Sequence, residues 1–198
     1  MDLRLFIALE LPESFLQELE QDLAGLKKAH QEFRWTSREN QHLTLAFLGT
    51  VPEAGVPDIL SALEKTIELW QKGQSYSSGI PVSAQGIYTF PPRKPASVLA
   101  VGLGDGKDGV TSLAAALEQE LLAIKEQAHI TEYEPSRRPF TPHITVARAG
   151  RSPIHLEPAE RQIPLQARGE ISYVTLFSSV LQRGGPVYTV QGRFSLLT

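Results

Sequence analysis

His42-Leu43-Thr44-Leu45-Ala46-Phe47-Leu48-Gly49 and His143-Ile144-Thr145-Val146-Ala147-Arg148-Ala149-Gly150 share His, Thr, Ala and Gly at their first, third, fifth and eighth places. Each reads as a strand that follows a strand and a helix. Ahead of the first, Leu3 to Leu9 is an apolar run of strand length. Pro12 stands where a helix can begin, and Phe15, Leu16, Leu19, Leu23 and Leu26 follow at helical spacing, with Lys27 and Lys28 at the end where the helix dipole favours cations. Ahead of the second, Ser97 to Val101 is strand-like, and Val110, Leu113, Ala114, Leu117, Leu121 and Ile124 mark a helix. The halves therefore read as diverged copies of a strand, helix, strand unit, two lobes facing each other across a pseudo-twofold axis.

Working outward, Ile59, Leu60, Leu63, Ile67 and Trp70 share one face of a helix predicted over Pro57 to Trp70. Pro81 to Tyr88 and Ser97 to Val101 flank Phe90-Pro91-Pro92-Arg93, which suggests a hairpin with a rigid loop. The last third is strand-like at Ile171 to Val180 and Val187 to Leu197, around Gly184-Gly185-Pro186. Glycines 102, 104, 106 and 109 lack both the Walker lysine and the dinucleotide spacing, so they read as a turn into the third helix. Residues 1–198 are expected to form one two-lobed domain without a flexible linker.

With 198 residues, 41% hydrophobic and 21% charged, the chain is long enough for a sizeable core. It has no apolar run of membrane-spanning length, and its start lacks the pattern of a signal peptide. The absence of cysteine excludes disulfides, thiol catalysis and Cys-ligated zinc, and fits a cytoplasmic protein. A net charge of -3 argues against coating of long nucleic acids, which needs many cationic contacts to phosphate. Locally the balance reverses: from Glu134 to Arg151 one glutamate stands against Arg137, Arg138, Arg148 and Arg151, a net +3. That segment is either a solvated basic loop or the place of one small anionic group.

Residues two apart on a strand point to one face, so His42 projects with Thr44 and His143 with Thr145, while Leu43, Leu45, Ile144 and Val146 turn the other way. Two such strands facing each other surround one cleft with two imidazoles and two hydroxyls. One imidazole can take a proton from water while the other protonates a leaving oxygen, and threonine hydroxyls can hold non-bridging phosphate oxygens. This set suits metal-free cleavage of a phosphodiester.

With 5 His and 12 Thr in the chain, chance gives about 0.3 His-x-Thr pairs and two pairs roughly once in thirty such sequences. The matched Ala, Gly and preceding elements reduce coincidence further. His30, His129 and His155 lack this setting and receive no role. A metal-dependent phosphohydrolase is disfavoured by the absence of a His-Glu-x-x-His pattern or a third ligand at suitable spacing. A non-catalytic module that binds phosphorylated ends without turning them over would be expected to have lost part of one motif, and both are complete.

These residues resemble the two-histidine phosphoesterase superfamily, specifically its RNA 2',3'-cyclic phosphodiesterases, also called 2',5' RNA ligases. The resemblance runs through Arg4-Leu5-Phe6-Ile7-Ala8-Leu9, Trp35, the two motifs, Phe90-Pro91, Arg138-Pro139-Phe140-Thr141-Pro142 and Gly184-Gly185-Pro186-Val187-Tyr188. It implies a bilobal α+β fold with antiparallel sheets flanked by helices around a central cleft. It also implies hydrolysis of RNA or nucleotide 2',3'-cyclic phosphates to 2'-phosphomonoesters without a cofactor, and ATP-independent 2',5' ligation as the same site run backwards.

The resemblance makes His42 the proton donor, His143 the acceptor, Thr44 and Thr145 substrate contacts, and Arg148 a further phosphate contact. Strict alternation puts Arg148 opposite His143, so that role requires the strand to end or bend first. A monomer acting on cyclic phosphate ends is expected, with the terminal base stacked on an aromatic side chain. Phe6, Trp35, Phe47, Phe90 and Tyr133 remain open as that side chain.

Overall fold

The structure is a computed structural model that describes residues 1–74, 78–92, 95–135 and 138–197. Arg93 of the proline loop and Arg137 of the basic segment lie outside the described residues. Apolar runs form β1 (Asp2–Glu10), β3 (His42–Pro52), β4 (Ile80–Phe90), β5 (Val98–Leu103), β6 (His143–Arg148), β8 (Tyr173–Gln182) and β9 (Gly185–Ser195), with short β2 (Arg34–Trp35) and β7 (Arg168–Ile171) between them. The helices are α1 (Glu13–Asp22), α2 (Ala24–Ala29), α3 (Val56–Lys72) and α4 (Lys107–Ala123).

All strand pairings are antiparallel, in the order β7-β4-β5-β6-β3-β1-β8-β9, with β2 added onto β6. The sheet has two equivalent halves, β3-β1-β8-β9 and β6-β5-β4-β7. In each, a first strand (β1 or β5) leads through helix to a histidine strand (β3 or β6) that returns beside it. The halves meet where Leu43 of β3 pairs with Ile144 of β6. These residues hold the second place of their motifs, and antiparallel pairing of equivalent positions puts a pseudo-twofold axis between them. The fold is bilobal α+β, as expected.

One face of the sheet is dry. Leu43, Leu48, Ile144 and Val146 are fully buried, beneath a layer in which α4 packs on β3 and β4, α3 on α4 and β9, and α1 on β7. Trp70 Nε1 ties α3 to α4 by donating to Ser112 Oγ at 2.8 Å. The opposite face carries the histidines.

Two expectations need adjustment, and a third holds. The first helical run breaks at Leu23 into α1 and α2, just before the weak helix former Gly25, yet Phe15, Leu16, Leu19, Leu23 and Leu26 all remain buried. The run from Ile171 to Val180 is two strands: β7 pairs with β4 at one edge, and after Ser172 the chain crosses to pair with β1 as β8. An apolar run carries no signal of a change of partner. The glycine-rich turn does lead into α4, where Gly106 adopts φ 77° and a Cβ would run into the Pro81 carbonyl oxygen.

Candidate functional site

Both histidine strands carry a β-bulge at the same motif position. Ala8 pairs with Thr44 and Ile7 with Ala46, leaving Leu45 without a partner; Ala100 pairs with Thr145 and Leu99 with Ala147, leaving Val146 without one. A bulge inserts one residue and reverses the alternation beyond it. Burial follows: Leu45 and Ala46 are both buried and Phe47 is exposed, and Val146 and Ala147 are both buried and Arg148 is exposed. Arg148 therefore shares the face of His143 and Thr145, through the bend that the expected phosphate contact calls for. Phe47 is its equivalent in the other lobe.

The histidines are held alike. His42 Nδ1–H donates to the Asn40 carbonyl at 2.9 Å, and His143 Nδ1–H to the Thr141 carbonyl at 2.8 Å. A carbonyl oxygen only accepts, so the proton sits on Nδ1 and each Nε2 is left to exchange protons with a ligand. Both rings are half-buried, as are Thr44 and Thr145, whose hydroxyls bond no other described residue.

Aromatic rings back each imidazole. Phe6 lies 4.9 Å from the His42 ring and Tyr188 meets it edge-on at 5.4 Å, while Phe90 lies 5.1 Å from His143. Burial pushes the His42 pKa down; the Asn40 carbonyl opposes this, and the positive charges of Arg148 and His143 add to the depression. Burial raises the Tyr188 hydroxyl, against the pull of Arg148. The positive charge of Arg148 thus acts on both His42 and Tyr188.

A polar row completes the floor. Glu10 pairs with His42 across β1 and β3 and so shares its face. It accepts from Thr175 Oγ1 and, at 2.8 Å, from Arg193 Nη2, whose guanidinium lies 3.7 Å from the Tyr173 ring centre. Glu10, Arg193 and Tyr88 were not singled out by motif reading, and Tyr188 entered only as the end of the 184–188 run, because sheet pairing brings them to the groove from distant strands. The period-two spacing of Tyr88 and Phe90 was the available signal.

Of the proposed stacking residues, Phe6 and Tyr133 are buried and Trp35 is tied back by Nε1–H to the His30 carbonyl at 2.9 Å. Phe47, 64% exposed, and Phe90 face the groove. His30 is a structural clamp: Nδ1 lies 3.1 Å from Glu32 and Nε2 2.8 Å from Glu160. Burial alone would lower its pKa, but the two carboxylates outweigh it and hold the value up. His129 and His155 are exposed.

Hollows of about 590 Å³ beside Arg34 and Arg151 and about 330 Å³ behind Val146 include neither motif histidine. The histidines line an open groove, so geometry rather than cavity size locates the site. Among the described residues, no group of three His, Cys, Asp or Glu side chains gathers as for a metal.

The fold and the paired motif are those of the two-histidine phosphoesterases. The chain belongs to the 2'-5' RNA ligase superfamily, whose family model matches residues 7–180, and it is a hydrolase. An RNA 2',3'-cyclic phosphodiesterase of Thermus thermophilus is 32% identical, over 98% of this chain and 90% of that protein. One from Aquifex aeolicus is 26% identical, over 82% of this chain and 81% of its own length. The crystal structure of a Thermus thermophilus protein superposes with a TM-score of 0.76 at 27% identity, covering 98% of this chain and 97% of that one. Among the described residues, no helix is long and apolar enough to cross a membrane.

Proposed function

We propose that the whole chain acts as one two-lobed domain that opens 2',3'-cyclic phosphate ends of RNA or nucleotides to 2'-phosphomonoesters. The observation that carries this reading is the equivalent anchoring of His42 and His143, each with Nδ1–H on a carbonyl two residues back and Nε2 left for proton exchange. Thr44 and Thr145 donate to the non-bridging oxygens, and Arg148 neutralises phosphate charge. His143 Nε2 takes the proton of the attacking water; a P–O bond forms as P–O3' breaks, and the departing 3'-oxygen receives the His42 Nε2 proton. Phe47, exposed on the His42 side, stacks the terminal base. Names of curated relatives support the substrate class.

With a 5'-hydroxyl in place of water, the same transfers make a 2',5' linkage without ATP. No metal or cofactor takes part in these steps. The protein acts as a monomer, and its lack of cysteine fits the cytoplasm.

The test is incubation with RNA bearing a 2',3'-cyclic end, followed by location of the product phosphate. A 2'-phosphate is expected, EDTA should leave the rate unchanged, and His42→Ala or His143→Ala should each lower turnover at least about 100-fold. A 3'-phosphate product would reverse the assigned bond cleavage, and full activity in both variants would sink the mechanism. Tight product binding without turnover would instead make this an RNA-end-binding module.

A further inference from the structure

The His143 side of the groove carries a feature that hydrolysis by water leaves unused. On β4, Tyr88 pairs with Ala100, which pairs with Thr145; Phe90 pairs with Val98, which pairs with Arg148. Both aromatic side chains therefore share the reactive face. The Tyr88 ring lies across two glycines. A Cβ at Gly102, the register partner of His143, would stand 2.7 Å from Tyr88 Cε2, and one at Gly86 would stand 2.6 Å from its hydroxyl oxygen and 2.9 Å from Cζ. Gly86 sits at a β-bulge with φ 77°, a conformation that favours glycine. The ring is thus seated against backbone, yet Tyr88 is 47% exposed and bonds no other described residue. An exposed ring seated against two glycines leaves its outer side open to a ligand.

In-line displacement puts the entering and leaving oxygens on opposite sides of phosphorus. In the mechanism proposed above, on which this inference rests, the leaving 3'-oxygen is on the side of His42 and the nucleophile on the side of His143. A nucleophile that carries a nucleoside must lay that nucleoside along the His143 wall. We infer that Tyr88, seated on Gly86 and Gly102, is the stacking platform for the base of the nucleoside bearing the 5'-oxygen of a 2',5' linkage. In cleavage of that linkage, the 3'-hydroxyl oxygen attacks phosphorus and gives its proton to His42. P–O5' breaks, and the 5'-oxygen takes a proton from His143. The products are a 2',3'-cyclic phosphate and a 5'-hydroxyl, with no water consumed; joining is the reverse.

The experiment compares wild type, Tyr88→Ala and Tyr88→Phe on two substrates: adenosine 2',3'-cyclic phosphate, which has no second nucleoside, and a 2',5'-linked adenylyl-adenosine dinucleotide. Tyr88→Ala should lower kcat/KM on the dinucleotide about tenfold or more, mostly through KM, as loss of one base stack does. Its hydrolysis of the cyclic mononucleotide should change less than about twofold, which also reports an intact fold. Tyr88→Phe should match wild type on both, because the ring and not the hydroxyl binds. Equal losses on both substrates, an unchanged dinucleotide rate, or a wild type that opens the cyclic nucleotide but leaves the dinucleotide intact would each overturn the platform. Failure of wild type on the cyclic nucleotide would instead overturn the underlying phosphodiesterase reading.

Discussion

His42 and His143 share a motif position and an anchoring bond, but Arg148 presses its charge on His42. Under the proposed roles His42 must carry the Nε2 proton when substrate binds. Burial first, then the charges of Arg148 and His143, hold its pKa below the ordinary 6.5 in the free protein. The donor form is lost as pH rises, so kcat/KM should fall on the alkaline side through a pKa below 6.5. A bound phosphodiester anion offsets Arg148 and favours the imidazolium, so the alkaline limb of kcat should lie at higher pH. Arg148→Gln should move the kcat/KM limb upward while lowering its plateau about 10- to 100-fold, the loss of a charge-assisted phosphate contact. Parallel pH profiles of the two proteins check this, and a kcat limb below that of kcat/KM would remove His42 as donor. The His/Thr pairs were legible because a period of two is local. The side of Arg148 was not, because neither Leu45 nor Val146 is a residue type that marks a bulge.

At the scale of the element, the glycines that close the two motifs have separate packing reasons. Gly150 lies against β2's approach, where a Cβ would run into the Glu32 carbonyl oxygen. Backbone cannot step aside. Gly49 adopts φ 76°, and its Cβ would meet Glu132, whose Oε2 accepts from the Thr50 amide at 3.0 Å. Gly150→Ala should therefore cost about 1–3 kcal/mol by overpacking. Gly49→Ala should cost a similar amount, about 1–3 kcal/mol, from the left-handed backbone and the displaced Glu132 contact. Urea unfolding checks both, and a variant within about 0.5 kcal/mol of wild type would deny the close approach at that glycine. The matched glycine was visible in the repeat, but its cause was not, since Glu32 and Glu132 are distant in sequence from Gly150 and Gly49. The break at Leu23 was hidden for a related reason: apolar spacing continues through it, and only the backbone bonds change.

Across the whole molecule, two facts about charge oppose each other. The chain is acidic, at -3, while the groove between the lobes holds Arg148 beside two imidazoles. Arg193, another cation on that face, is already paired with Glu10. The repeat made two lobes legible, but it did not reveal that β7 and β8 bind the lobes together or that Glu10 would be spent on Arg193. On the proposed function such an arrangement grips one terminal phosphate, while the net acidic charge gives the rest of an RNA strand little attraction. Each neutralised phosphate of a single strand contributes a slope of about -0.7 to log K against log salt. Binding of RNA with a cyclic end to the inactive His143→Ala variant should therefore show a slope between about -0.7 and -1.4. The affinity of a ten-nucleotide RNA should stay within about threefold of a three-nucleotide one, because a chain with a net charge of -3 offers added phosphates little net attraction. A slope steeper than about -3, or affinity climbing steadily with length, would mean that a basic track outside the groove carries the strand.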